Sequence, residues 1–117
     1  MKIAIPTTEG KTVCASFGRA PFFLFYNDEN QKSELIQNPA SQASGGAGTK
    51  AAQFVLDNGA DTVITVKCGE NAGAVLNAAK IMIYNSASYN IEENIQLLKE
   101  KKLSLLEEFH KGFHGAQ

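Results

Sequence analysis

Neither charge dominates this chain of 117 residues: eleven lysines and arginines stand against twelve acids, a formal net charge of -1. Broad binding to nucleic acid or to an anionic membrane surface needs a basic excess. No local cluster of lysine or arginine supplies one, so neither partner is expected. Long hydrophobic runs are missing too. The apolar stretch at residues 22–26 is far too short to cross a bilayer, and residues 1–6 lack the apolar run of a secretion signal. A cytoplasmic, reducing setting is therefore the expectation, with the two cysteines, Cys14 and Cys68, as free thiols. Two cysteines cannot form a four-thiolate metal site within one chain, although a homodimer brings four together; monomer and homodimer both stay open. Catalytic groupings are scarce as well. Both histidines lie in the tail, no serine or cysteine has a nearby general base in view, and Asp28, Asp57 and Asp61 form no carboxylate pair. The chain is not expected to be an enzyme.

What is present suffices for one folded domain spanning residues 1–117, since 44% of the residues are hydrophobic. Residues 2–6 alternate around Ile3 and Ile5, and Pro6 is expected to stop further pairing. Residues 22–26 are continuously apolar, as in a strand covered on both faces, and residues 33–37 read as a third strand ended by Asn38-Pro39. The rhythm then changes. Residues 49–58 predict a helix with Ala52, Val55 and Leu56 on one face and Gly59 as its C-terminal cap. Residues 62–66 are β-branched throughout, like a buried parallel strand. A second helix is expected over 72–79 and a last strand over 81–84. Asn90, with Glu93 three residues on, starts a third helix whose core face is Ile91, Ile95 and Leu98. Gly112 and Gly115 suggest a loose tail from about residue 103. The order βββαβαβα predicts an α/β fold: a mixed five-stranded sheet with helices packed on it, in the ribonuclease H-like order 3-2-1-4-5. Nucleases of that arrangement carry an aspartate in the first strand; here that strand has no acid.

The strongest local signal is Ser44-Gly45-Gly46-Ala47-Gly48-Thr49. Its glycines permit positive φ and leave backbone N–H groups uncovered, and a helix start adds donors and partial positive charge suited to an anion. It is neither a Walker loop nor a dinucleotide fingerprint, and a plain connection that caps a helix competes with the ligand reading. Cys68 follows a central parallel strand beside Gly69 and Asn71, at the end of the sheet where open α/β folds bind ligands. A helix N-terminus there lowers a thiol's pKa toward a metal-binding thiolate; the competing reading is a small buried space-filler. Cys14 and Arg19, the one arginine, sit in the loop after the first strand and are expected on the same rim. His110 and His114, four apart, have the spacing of a metal pair, but Gly112 between them favours a mobile tail.

Taken in order, Met1-Lys2-Ile3-Ala4-Ile5-Pro6, Phe17-Gly18-Arg19-Ala20-Pro21-Phe22-Phe23, Asn38-Pro39, Ser44-Gly45-Gly46-Ala47-Gly48 and Gly69-Glu70-Asn71-Ala72 resemble the dinitrogenase iron–molybdenum cofactor biosynthesis family over about residues 1–100. That family includes nitrogenase accessory factors that carry the iron–molybdenum cofactor or its precursor, and a small orange protein holding a molybdenum–copper sulfide cluster. The resemblance implies a non-catalytic carrier of an anionic metal–sulfur cluster containing molybdenum, iron or copper. It also implies a cluster-donor or cluster-acceptor protein as partner. The cluster would meet backbone N–H groups, Arg19 and the thiolates of Cys14 and Cys68. Many relatives lack both cysteines, so thiolate ligation is not a family-wide mechanism, and where relatives often have a glycine before the last strand this chain has Lys80. Two rival readings remain: a protein-interaction or regulatory module without a cluster, and a thiol redox protein using Cys14 and Cys68, which lacks the C-x-x-C spacing.

Overall fold

A computed structural model describes residues 1–107 of the chain; His110 and His114 lie outside them. The elements run β1 (Lys2–Thr7), β2 (Phe22–Asn27), β3 (Lys32–Gln37), α1 (Ala47–Asp57), β4 (Thr62–Thr65), α2 (Glu70–Ala78), β5 (Met82–Asn85) and α3 (Ile91–Lys99). They form one five-stranded sheet in the order β3-β2-β1-β4-β5, with β1, β2 and β3 antiparallel and β4 and β5 parallel to β1. The expected fold class is the observed one.

Alternation along the strands divides the core into two layers. Ala4, Phe23, Phe25, Val63 and Ile83 face α1 and α2, meeting Ala51, Ala52, Val55, Ala72 and Leu76. Four phenylalanines anchor this layer, with Phe17 against Phe23 and Phe54 against Phe25 at ring-centroid distances of 5.2 and 5.8 Å. Ile3, Ile5 and Ile64 face the other way, onto Ile91, Ile95 and Leu98 of α3, the face the sequence predicts.

Three expectations need correction. Pro6 does not end the pairing of β1. It lies in the ladder opposite Phe23, and Thr7 still pairs with Phe22. The carbonyl of Pro6 accepts from the Cys14 N–H, so the missing proline donor costs no ladder bond to β2. β2 is not equally covered on both faces: Phe23 and Phe25 are buried, whereas Phe22, Leu24 and Tyr26 stay half-buried because α3 covers less of the sheet than the α1–α2 pair does. Nor are residues 103–106 loose. Asn85 N–H donates to Ser104 O and Leu106 N–H to Ile83 O, which pins residues 103–106 along the edge of β5.

The helix ends place Lys80 where the backbone requires a left-handed residue. All three helices close with the same pair of reversed hydrogen bonds, as in Ile81 N–H to Leu76 O and Lys80 N–H to Asn77 O after α2. The motif requires one left-handed residue, supplied by Gly59 (φ 78°), Lys80 (φ 63°) and Lys101 (φ 61°). Gly59 therefore stands where the sequence places it. Lys80 and Lys101 adopt the same conformation at a cost of about 1 kcal/mol each. At the start of α3, Asn90 Oδ1 accepts from Glu93 N–H. The return arm of this capping box runs through Ser88, whose hydroxyl donates to Glu93 and accepts from Asn90 N–H. Among the described residues, no helix is long and apolar enough to cross a membrane.

Candidate functional site

Three loops converge at the C-terminal ends of β1 and β4: residues 15–19, 45–49 and 67–72. They enclose a cavity of about 520 Å³, within the size range of ordinary small-ligand sites. The parallel strands dictate this position, because their following loops all open on one rim.

The Gly45–Thr49 wall is built by backbone conformation. Gly46 takes φ 70° and ψ 24°, a left-handed turn that glycine adopts without strain, and the chain enters α1 directly from it. No side chain caps this start, and its first turn holds no acid. The first N–H groups of any helix lack a carbonyl one turn earlier, so those of Ala47, Gly48 and Thr49 remain as donors at the cavity. The start of α2 forms the adjoining wall. Gly69 precedes it, again with no side-chain cap, and Asn71 and Ala72 line the space. The two helix starts lie side by side: a β-carbon built on Gly48 stands 3.4 Å from Ala72 Cβ.

The opposing wall is the loop of Ser16, Phe17, Gly18 and Arg19. Phe17 is buried in the aromatic layer and anchors it. Gly18 touches α1 so closely that a β-carbon there would meet Gly48 N at 2.9 Å and Gly48 Cα at 3.0 Å. Arg19 donates from Nη1 to Ala43 O at 2.6 Å, which fixes its guanidinium beside the glycine turn. A second cation faces the same space. Lys67 lines the cavity, its backbone bridged to Ser16. Among the described residues no carboxylate lines this cavity; Glu70, in the first turn of α2, borders a separate shallow depression with Gly73, Ala74 and Asn77.

Of the expected site residues, Arg19, Gly45, Gly46, Gly48, Gly69 and Asn71 come together here. Ser44 is next to the wall but does not line it, and the two thiols need correction as rim residues. Cys14 is half-buried, with its backbone tied to Pro6, and Cys68 is only 1% exposed, packed among the α1–α2 core residues. The helix start does not make Cys68 a thiolate: burial pushes its thiol up from 9.0 to about 12. The folded state holds that proton more tightly than the unfolded chain, so this group's contribution is intact below pH 9 and is lost as pH rises through about 12. Alkylation by iodoacetamide at pH 8, followed by intact mass, is accordingly expected to add one group quickly, at Cys14, and the second only after denaturation. Rapid double labelling of the native protein would contradict this burial. Sequence reasoning read Thr49 only as part of the glycine turn, and it missed Lys67, Ser16 and Gly18 as lining residues. Lys67 had a signal, as the cation directly before the Cys68-Gly69 connection, whereas the contact of Gly18 with α1 spans thirty positions and leaves no local pattern. Among the described residues there is no cluster of three or more histidine, cysteine or acidic side chains fit for a metal ion.

Residues 1–101 match the model of the dinitrogenase iron-molybdenum cofactor family. An uncharacterised protein of Methanocaldococcus jannaschii is 31% identical over 110 residues, which cover 92% of each chain. The apo form of the orange protein from Desulfovibrio gigas superposes with a TM-score of 0.83 at 24% identity, covering 90% of this chain and 92% of that one, which shows the shared fold. A NifB-like protein from Thermotoga gives a TM-score of 0.80 at 28% identity, over 96% of this chain and 98% of the other.

Proposed function

The chain belongs to the dinitrogenase iron–molybdenum cofactor family, and from that premise we propose that it binds and carries an anionic metal–sulfur cluster in the cavity between the two helix starts, without catalysing a reaction on it. One observation supports this above the rest. Arg19, Lys67 and two helix N-termini without a side-chain cap line a single space, and among the described residues none that lines it is acidic. Each helix start contributes about half a positive charge, so the cavity presents a field suited to a polyanion. The family's name and the orange-protein and NifB-like neighbours support a metal-cluster-associated accessory role. Molybdenum, iron or copper as the metal, and a donor or acceptor protein at the cavity mouth, belong to the same reading.

The geometry favours backbone amides and cations over thiolates as the holding groups, because Cys68 is buried and protonated and Cys14 stands off the lining. Hydrogen bonds from N–H groups to cluster sulfides hold such a cargo reversibly, as a carrier requires. Anaerobic titration with tetrathiomolybdate is the test. A saturable change in the visible absorption is expected, with Cys14→Ser binding as the wild type does. Absence of any such change, together with no molybdenum, iron or copper by elemental analysis of anaerobically purified protein, would sink the proposal and favour a cluster-free interaction module.

A further inference from the structure

Asn38 is 1% exposed and belongs to neither helix starts nor strands, yet its amide is fully engaged. Nδ2 donates to Gly18 O at 3.1 Å and to Ala20 O at 2.8 Å, and Oδ1 accepts from Ala40 N–H at 3.0 Å. The first two partners lie in the loop that forms one wall of the cavity. The third begins the segment that leads, through Ala43 and the glycine turn, to the other wall. Asn38 N–H also donates to Pro21 O at 2.9 Å, so the residue is tied into the base of the first loop by backbone as well as side chain.

We infer that Asn38 is a positioning residue of the cavity: its buried amide fixes the distance between the Gly18–Arg19 wall and the start of α1. The chemistry suits the task. A carboxamide offers two donors and one acceptor in a rigid plane, and here each reaches a backbone atom of a segment that has no regular structure of its own. Gly18 then transmits the constraint, because it approaches the start of α1 so closely that a β-carbon on it would stand 2.9 Å from the backbone nitrogen of Gly48, a residue that lines the cavity. Asn38 reaches no ligand; it acts through the two loops it joins. This inference rests on the cavity being the binding site.

A matched control is present in the same molecule. Asn94 is also fully buried, donates twice from Nδ2, to Ser88 O and Asn90 O, and accepts once, from Ala87 N–H, but it sits in α3. Asn38→Ala and Asn94→Ala are therefore expected to lower thermal stability to a similar degree. Only Asn38→Ala should weaken tetrathiomolybdate binding, by roughly tenfold or more, since small misplacements of a preorganised site are costly. Amide hydrogen exchange supplies a second readout that needs no ligand. The Lys50 N–H, which closes the first turn of α1 on Gly46 O, should exchange faster in Asn38→Ala and unchanged in Asn94→Ala. Equal affinities in all three proteins, or equal effects of both variants on affinity and on Lys50, would overturn the assignment. If the wild type binds no thiomolybdate the proposed function falls by itself, and Lys50 exchange alone then decides the role of Asn38. Should Asn38→Ala fail to fold, Asn38→Ser, which keeps one donor and one acceptor, takes its place in both measurements.

Discussion

Replacing Arg19 and Lys67 together with glutamine is expected to weaken tetrathiomolybdate binding roughly a hundredfold. A hydrogen bond from a charged donor contributes about 1.5–3 kcal/mol, and both side chains are exposed at the mouth, so the lower end of that range applies to each. Together they account for about 3 kcal/mol. Each single variant should lose roughly a tenth of that factor, and the product should be near additive if the cations approach the cargo from separate loops. Salt gives an independent check. The wild-type affinity should fall as ionic strength rises, and the double variant should respond less, because the screened charges are gone. Folding should change little. Among the described residues Lys67 has no side-chain hydrogen bond to lose, whereas Arg19 gives up its bond to Ala43 O, about 1 kcal/mol. Unchanged affinity in the double variant would place the anion elsewhere.

The fold was legible because its signals are local. The alternation of Ile3 and Ile5, the β-branched run from Thr62 and the Asn90–Glu93 spacing each report on a few neighbouring residues, and the structure places them as read. The cavity was legible in part for the same reason: a glycine turn entering a helix announces its donors wherever it packs. What stayed hidden depends on distant partners. Cys68 stands one residue from a helix start, which argues for a thiolate, yet its surroundings are Phe17, Ala51, Ala72 and other core residues that desolvate it. Asn38 reads as the polar end of a strand, and nothing near it in sequence reveals that Gly18 and Ala20 receive its amide. Pro6 argues against a central strand by its missing donor, but that argument assumes a partner on the donor's side. There the loop at Cys14 offers its own N–H to the Pro6 carbonyl instead.

Alanine at three of the cavity's glycines should separate close packing from conformational freedom. At Gly45 a β-carbon meets nothing within 4 Å and φ is not positive, so Gly45→Ala is expected to change stability by less than about 0.5 kcal/mol. Gly46 also faces open space but holds φ 70°, and Gly46→Ala should cost about 1 kcal/mol through backbone strain alone. Gly18 has ordinary φ and no room. Its β-carbon would press on Gly48 N, Gly48 Cα and Ala47 C, backbone atoms that cannot rotate away as a flexible side chain can. Overpacking of this kind costs about 1–3 kcal/mol, so Gly18→Ala should lower Tm by roughly 5–15 °C in a domain of this size. The clash also falls on Gly48, which lines the cavity, so thiomolybdate affinity should fall with stability in Gly18→Ala. In Gly45→Ala both should stay near wild type. Thermal unfolding of the three variants, with the titration run on each, tests the order. A Gly18→Ala protein as stable and as tightly binding as Gly45→Ala would mean that the first loop stands farther from α1 than the close contact at Gly48 requires.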